Sequence, residues 1–245
     1  MNIGVVSGAS SGIGFEITKL LGKENLDELW LIASNEQKLT EASKNFATKT
    51  RLFAIDLSKN GALYSFVEAL NAEKPSVKYL VCSAGVSFNG NLTDLTPNQI
   101  SKMTDINVRA LTELTYYVLP YVENGGKIIE IASGSGFMPQ PSFSVYAATK
   151  SYVIAFSRAL RHEIRKRKIS VTAVCPGPVN TPLFAGLENV KEYKRKFAIS
   201  PEKVATHALK SAKKKKSLSV PTFSMKMVHL VSKVVPTSIF LKFYK

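Results

Sequence analysis

Short apolar runs alternate along this chain with longer amphipathic segments. Six runs are nearly continuous in Val, Ile and Leu, as expected of strands buried on both faces of a sheet: Ile3–Ser7, Glu28–Ala33, Arg51–Ile55, Val77–Cys82, Lys127–Ala132 and Ile169–Cys175. The segments between them repeat apolar residues at helical spacing: Gly12–Lys23, Glu36–Phe46, Ser58–Asn71, Asn98–Tyr121 and Ser144–Arg167. This alternation predicts an α/β fold with a parallel sheet and helices on both faces.

The 245 residues suit a single domain. The sequence contains no internal repeat and no linker, so residues 1–222 are predicted to form one domain and residues 223–245 a basic amphipathic tail. Ser217–Val220 is a candidate seventh strand. The irregular stretches Gly85–Pro97, Gly134–Phe143 and Pro176–Ser200 each follow a predicted strand, where open α/β sheets bind ligands.

A glycine-rich loop joins the first predicted strand to the first predicted helix. Gly8, Gly12 and Gly14 stand in the run Ser-Gly-Ala-Ser-Ser-Gly-Ile-Gly. Glycines there allow a tight turn and a close backbone approach to a pyrophosphate, which the N-terminus of the helix stabilises. The loop therefore predicts a Rossmann-like, doubly wound fold that binds a dinucleotide, although its spacing differs from the generic Gly-x-Gly-x-x-Gly fingerprint.

Tyr146 and Lys150 lie four residues apart in a predicted helix. This spacing places the phenol and the ammonium on one helical face. A cation held there is expected to lower the pKa of the tyrosine from its ordinary value of about 10, which makes the phenol a usable acid or base. Because Asn107 and Ser133 stand upstream, the four residues together predict a catalytic site.

In this order the motifs resemble those of the short-chain dehydrogenase/reductase family. The glycine loop is similar to the family's Thr-Gly-xxx-Gly-Ile-Gly loop, with Ser7 in place of the threonine, and Ser83 stands where the family has the asparagine of Asn-Ala-Gly. The Ser7 hydroxyl is expected to keep the hydrogen bond of the turn. Further matches to family motifs are Asp56, Leu57, Asn107, Ser133, Tyr146, Lys150, Pro176, Gly177 and Thr181.

The resemblance implies hydride transfer between a nicotinamide and a carbonyl/alcohol pair. In the reducing direction Tyr146 would donate its proton to the alkoxide while Ser133 holds the substrate oxygen. Lys150 would hold the nicotinamide ribose, and Asn107 would position a water that links Lys150 to solvent. The implied cofactor-binding residues are Gly8, Ser10, Ser11, Gly12, Ile13, Gly14, Ser34, Asn35, Asp56, Leu57, Ala84, Gly85, Asn107, Tyr146, Lys150, Pro176, Gly177, Val179 and Thr181.

The residues at the end of the second predicted strand are expected to determine the choice between NADP and NAD. An acidic residue at position 34 would bond the ribose hydroxyls and repel a 2′-phosphate. Ser34 and Asn35 can instead donate hydrogen bonds to a phosphate, and Lys38 follows one helical turn later. The acidic residue Glu36 favours NAD instead, but it is expected in the first turn of a helix, where the helix dipole stabilises its charge. The sequence favours NADP and leaves NAD open.

The predicted substrate pocket is mostly apolar. Its candidate residues are Ser133, Ser135, Phe137, Met138, Gln140, Pro141, Phe143, Tyr146, Val179, Leu183 and Phe184. No carboxylate clamp stands among them, so a lipophilic carbonyl or alcohol of steroid, retinoid or acyl type fits best. The alternatives are a reductase of small polar carbonyl metabolites and a non-enzymatic dinucleotide-binding protein.

The net charge of +15 is concentrated near the C-terminus, where ten lysines and no acidic residue lie between Lys203 and Lys245. Apolar residues between these lysines, Phe243 among the last of them, fit an interfacial helix attracted to anionic lipids, and Pro236 is expected to divide the tail into two short helices. An oligomer contact and packing on the core remain alternatives. No basic motif interleaved with aromatic residues predicts nucleic-acid binding.

Cys82 and Cys175 each lie in a predicted strand and are expected to be buried, inert thiols, with no metal site. The chain enters its first strand without a signal-like segment, and it has no run of eighteen apolar residues. We therefore expect a cytoplasmic protein. If the tail binds lipids, it would make a peripheral contact with the inner face of the membrane. A homo-oligomer is expected from the family resemblance alone.

Overall fold

The computed structural model describes residues 1–187, 192 and 196–242, and these residues form a sheet of seven parallel strands. The strands are β1 (Asn2–Ser7), β2 (Glu28–Ala33), β3 (Thr50–Ala54), β4 (Ser76–Cys82), β5 (Val122–Ile131), β6 (Ser170–Val174) and β7 (Leu218–Ser219). Their order is β3-β2-β1-β4-β5-β6-β7, so the direction of winding reverses between β1 and β4. This order confirms the predicted Rossmann-like, doubly wound fold.

Helices cover both faces of the sheet. They are α1 (Gly12–Leu21), α2 (Glu36–Ser43), α3 (Tyr64–Glu73), α4 (Pro97–Thr104), α5 (Leu111–Val118), α6 (Ser144–Glu163), α7 (Pro182–Ala185), α8 (Pro201–Lys213), α9 (Phe223–Val234) and α10 (Thr237–Lys242). Among the described residues two hydrophobic clusters are buried, one on each face of the sheet. Val6 of β1 belongs to the cluster that includes residues of α1, α2 and α8, and Val5 belongs to the cluster that includes residues of α3, α5 and α6. Successive strand side chains point to opposite faces, so the core lies in two layers around the sheet.

Some element bounds differ from the predicted ones. The predicted helix Asn98–Tyr121 is interrupted by a π-helical turn at Asp105–Ala110, which separates α4 from α5. Helix α8 was not predicted, although Ser200 caps it and Pro201 occupies its first turn. Those two residues are an ordinary helix-start signal, which the lysine-rich composition of this part of the chain obscured.

The tail forms two helices, α9 and α10, on either side of Pro236, as predicted. Phe243 lies outside the described residues. Within the described part of the chain, no helix is long and apolar enough to cross a membrane. The same residues contain no group of three His, Cys, Asp or Glu side chains that could hold a metal ion.

A carboxyl group is buried in the centre of β5. Glu130 has no solvent exposure. Its carboxyl accepts hydrogen bonds from the hydroxyls of Ser157 and Thr115, the latter at 3.4 Å. Burial raises the pKa of Glu130 to about 7, and the two hydroxyls oppose that effect only in part. The side chain is therefore held neutral over a pH range in which an unfolded glutamate is ionised.

We expect the free energy of unfolding to fall as the pH rises from about 4.5 to about 7, because only the unfolded chain releases the Glu130 proton in that window. The contribution is on the order of 3 kcal/mol. The Glu130→Gln variant, which cannot ionise, should lose this part of the pH dependence. Urea unfolding of both proteins at several pH values measures it, and parallel pH profiles would contradict the assignment.

Candidate active site

The glycine loop lies against the backbone that follows β4. Gly8 has a φ of +68°, and a Cβ added there would lie 2.8 Å from the Ala84 nitrogen. A Cβ added at Gly14 would lie 2.2 Å from the Gly8 carbonyl oxygen. The Ser7 hydroxyl accepts hydrogen bonds from the amides of Ser83 and Ala84 at 3.1 and 3.3 Å. The serine thus keeps the hydrogen-bonding role expected of the family's threonine.

The first turn of α1 is suited to bind an anion. The helix begins at Gly12, and within the described residues the Ser11 side chain makes no capping hydrogen bond. The amides of a helix's first turn have no partners inside the helix and attract negative charge. Thr181 lies across from this turn, since its Cγ2 would be 3.1 Å from a Cβ at Gly12. The residues present therefore fit a pyrophosphate bound between the glycine loop and the loop after β6.

Tyr146 and Ser133 meet at the carboxyl end of β5. Tyr146 lies in the first turn of α6 and is 9% exposed, and its ring packs against that of Phe143 in a tilted arrangement, with 4.6 Å between centroids. Burial raises the pKa of Tyr146 to about 12, while a hydrogen bond with the Ser133 side chain opposes the rise. The Ser133 hydroxyl also accepts a hydrogen bond from the Ser135 amide at 3.1 Å. The phenol and the hydroxyl can therefore contact one substrate oxygen.

Lys150 is buried one turn after Tyr146, with 4% of its surface exposed. Its Nζ donates to the Ile131 carbonyl at 2.9 Å and lies 5.7 Å from the centre of the tyrosine ring. Burial lowers the pKa of Lys150 to about 8. The expectation that this ammonium lowers the pKa of Tyr146 is not met in this structure, because burial dominates the phenol and the lysine's hydrogen bond goes to the end of β5.

Asn107 lies in the π-helical turn and is fully buried. Its Oδ1 accepts from the Val86 amide, and its Nδ2 donates to the Val86 carbonyl, both at 2.9 Å. Nδ2 also donates to Thr149 Oγ1 at 3.2 Å. The side chain therefore fixes the loop after β4 to α6, and its role in a water relay stays a prediction.

The residues predicted to select the cofactor lie around the N-terminus of α2. Ser34 is exposed, and Asn35 Oδ1 accepts a hydrogen bond from the Lys38 amide at 2.8 Å as the cap of α2. The Asp56 carboxylate is held by the amide and hydroxyl of Ser58, and these hydrogen bonds lower its pKa. A groove beside these elements is lined by Ser10, Ser11, Phe15, Lys38, Glu41, Ala42 and Asn45.

The loops predicted to form the substrate pocket lie together. The Gly90 amide donates to the Ser142 carbonyl at 2.9 Å, and the Ser142 hydroxyl donates to Asn91 Oδ1 at 3.0 Å. The Gly134 amide donates to the Pro176 carbonyl at 2.8 Å. The predicted pocket residues on these loops are Ser135, Phe137, Met138, Gln140, Pro141, Phe143, Val179, Leu183 and Phe184, of which Met138 and Val179 are buried.

Three residues near the site were not predicted. Met225 of α9 lies against Gly134 and Gly177, and His229 packs on Phe137. Ser87 follows Val86, and its buried hydroxyl has no hydrogen-bond partner within the described residues. The spacing of four between Met225 and His229 is the signal that could have identified an inward face of α9.

Three comparisons place this arrangement among known proteins. A family model described as short chain dehydrogenase matches residues 2–192. An uncharacterized oxidoreductase of Staphylococcus epidermidis is 32% identical over 188 residues, which are 76% of this chain and 81% of that relative. A very-long-chain 3-oxoacyl-CoA reductase of Rattus norvegicus is 35% identical over 190 residues, which are 73% of this chain and 60% of that relative.

The fold is also similar to solved structures. A short-chain dehydrogenase from Sphingobium yanoikuyae, in complex with NADPH, superposes with a TM-score of 0.82 at 23% sequence identity. The superposition covers 100% of this chain and 96% of the other. It therefore includes helices α9 and α10 as well as the sheet.

Proposed function

The chain belongs to the short-chain dehydrogenase family, and from that premise we propose that it reduces a lipophilic carbonyl compound to its alcohol with NADPH. The protein is an oxidoreductase of the CH–OH/C=O class. The observation that carries the proposal is the buried Tyr146 hydroxyl, hydrogen-bonded to Ser133 at the carboxyl end of β5. When bound, a nicotinamide supplies hydride at this edge of the sheet.

Tyr146 is suited to act as the acid. With a pKa raised to about 12, the phenol is protonated at neutral pH and can donate its proton to a developing alkoxide. Ser133 holds the same oxygen and fixes its distance from the phenol. Lys150 places a buried positive charge 5.7 Å from the centre of the phenol ring, which opposes the effect of burial on a phenolate without outweighing it.

We expect the Tyr146→Phe variant to lose at least about a hundredfold in kcat, because it cannot donate the proton. The ring and its packing on Phe143 remain, so the affinity for NADPH should change little. Oxidation of NADPH at 340 nm against a panel of lipophilic ketones measures kcat, and fluorescence titration measures NADPH binding. Substantial turnover by the variant would overturn the assignment of Tyr146.

The lipophilic class of substrate is favoured by the lining of the site. Phe143 packs against the ring of Tyr146, and Phe137 and Met138 follow Ser133 on the same loop. No acidic or basic side chain stands among the predicted pocket residues to hold a charged metabolite. One relative's name, very-long-chain 3-oxoacyl-CoA reductase, also refers to an acyl substrate. A reductase of small polar carbonyls and a non-enzymatic binding protein are the weaker alternatives.

NADP is the preferred cofactor of the proposal. Position 34 carries a serine rather than an acidic residue, and Lys38 adds a positive charge to the groove beside Ser10 and Ser11. Glu41 in the same groove forms an ion pair with Lys44 at 2.6 Å, which reduces its repulsion of a phosphate. A 2′-phosphate is favoured by such a set of donors.

We expect the Ser34→Asp variant to raise the KM for NADPH by about tenfold or more and to lower that for NADH, since a carboxylate repels the 2′-phosphate and bonds the ribose hydroxyls. The Lys38→Met variant should weaken the binding of NADPH but not that of NADH. Lys23→Met, at an exposed lysine that does not line this groove, is the matched control. If NADH is the better cofactor of the unmodified protein, the preference for NADP is wrong.

Two surfaces support the predicted partners. Tyr116 of α5 and Tyr152 of α6 are 71% and 38% exposed on adjoining helices, since the Tyr152 hydroxyl lies 3.0 Å from that of Thr112. Exposed aromatic residues of this kind favour a homo-oligomer contact.

On the tail, the exposed Leu230 and Val234 alternate with lysines, and peripheral membrane contact there stays a prediction.

We expect the protein to form a homo-oligomer that the Tyr116→Ser variant weakens, because the exposed ring would be buried in the contact. Tyr64, 72% exposed on α3, provides the matched control Tyr64→Ser. Light scattering after size-exclusion chromatography measures the mass at several protein concentrations. A monomer at every concentration, or equal effects of both variants, would contradict this contact.

A further inference from the structure

Helix α9 packs against the loops that carry the catalytic residues. A Cβ added at Gly134, the neighbour of Ser133, would lie 2.6 Å from Met225 Sδ. A Cβ added at Gly177 would lie 3.1 Å from Met225 Cγ. Gly134 follows β5 and Gly177 follows β6, so Met225 lies over the carboxyl ends of two neighbouring strands. Open α/β sheets bind their ligands at that edge.

One helical turn further along α9, His229 packs on Phe137 with 4.4 Å between the ring centroids. Its Nδ1 is buried and has no hydrogen-bond partner within the described part of the chain. Leaving a buried polar atom unpaired is destabilising, so a bound ligand is expected to supply the hydrogen-bond partner that those residues do not provide. Burial lowers the pKa of His229, as do Lys233 and Arg158, so the ring is neutral at pH 7. A neutral imidazole can donate or accept at Nδ1, according to its tautomer.

We propose that α9 forms a wall of the substrate pocket, where Met225 contacts the apolar body of the substrate and His229 hydrogen-bonds an oxygen remote from the reacting carbonyl. This inference rests on the proposed function and names its substrate class. Four residues of α-helix span about 6 Å, so the second oxygen would lie roughly that far along α9 from the part of the substrate that Met225 contacts. The substrate is therefore a lipophilic ketone with another hydroxyl or carbonyl group towards its far end.

The helix offers matched controls for this assignment. Met227 lies two residues after Met225 and is 44% exposed. The substitutions Met225→Ala and Met227→Ala thus remove the same atoms from the same helix, one beside the catalytic loops and one at the surface. His229→Phe keeps a ring to pack on Phe137 but has no nitrogen. His229→Asn places a polar atom close to the position of Nδ1.

The experiment compares a rigid polycyclic diketone with the monoketone that lacks its remote oxygen, both at saturating NADPH. We expect the unmodified protein to prefer the diketone by about tenfold in kcat/KM, the gain from one well-placed hydrogen bond. His229→Phe should remove this preference by lowering kcat/KM for the diketone to that for the monoketone, and His229→Asn should restore part of it. Met225→Ala should raise the KM for both ketones, whereas Met227→Ala should change neither.

The outcomes separate this inference from the proposed function. If the unmodified protein reduces other lipophilic ketones but neither member of the pair, the function stands and the named substrate class is wrong. An equal preference in His229→Phe and the unmodified protein, or equal effects of the two methionine substitutions, would overturn the role of α9. Absence of NADPH binding and of turnover on every ketone would instead refute the function itself.

Discussion

The contact between the glycine loop and the backbone after β4 determines where a ligand can bind. Side chains at Gly8 or Gly14 would overlap main-chain atoms, and the Ser7 hydroxyl joins the two segments by accepting the amides of Ser83 and Ala84. Because β1 and β4 lie on either side of the reversal in strand order, this contact forms one wall of the crevice at that point. It also fixes the N-terminus of α1, whose first amides would supply the proposed anion site.

The other half of the site depends on the end of β5. The carbonyl of Ile131 holds the Lys150 ammonium, and Ser133, two residues later, reaches the Tyr146 hydroxyl. Asn107 connects the loop after β4 to α6, which carries both Tyr146 and Lys150. Of the proposed reacting groups, Tyr146 and Lys150 thus stand on α6 and Ser133 follows β5 closely, and their neighbours are held by hydrogen bonds. Such support is what keeps a site within the small tolerances that proton and hydride transfer require.

The parts that could be predicted from the sequence are those with a local signal. Strand–helix alternation predicted the sheet, and the spacing of the glycines and of Tyr146 and Lys150 predicted the elements that carry the site. The position of α9 could not be predicted in this way, because it depends on contacts between Met225 and residues 48 or more positions away. The direction of the tyrosine's pKa shift was also missed, since helical spacing reveals a nearby charge but not the extent of burial.

Burial at this site has a cost in stability that suits the proposed chemistry. The pKa of Lys150 is lowered from 10.5 to about 8, so at neutral pH the buried ammonium reduces the free energy of unfolding by about 3 kcal/mol. That loss is recovered only as the pH rises from about 8 to about 10.5, because the folded chain releases the proton first. A hydrophobic residue would avoid the cost but would place no charge near a phenolate. The low polarity that raises the pKa of Tyr146 also strengthens the attraction between a phenolate and the ammonium, so the two effects of burial oppose each other when the proton leaves.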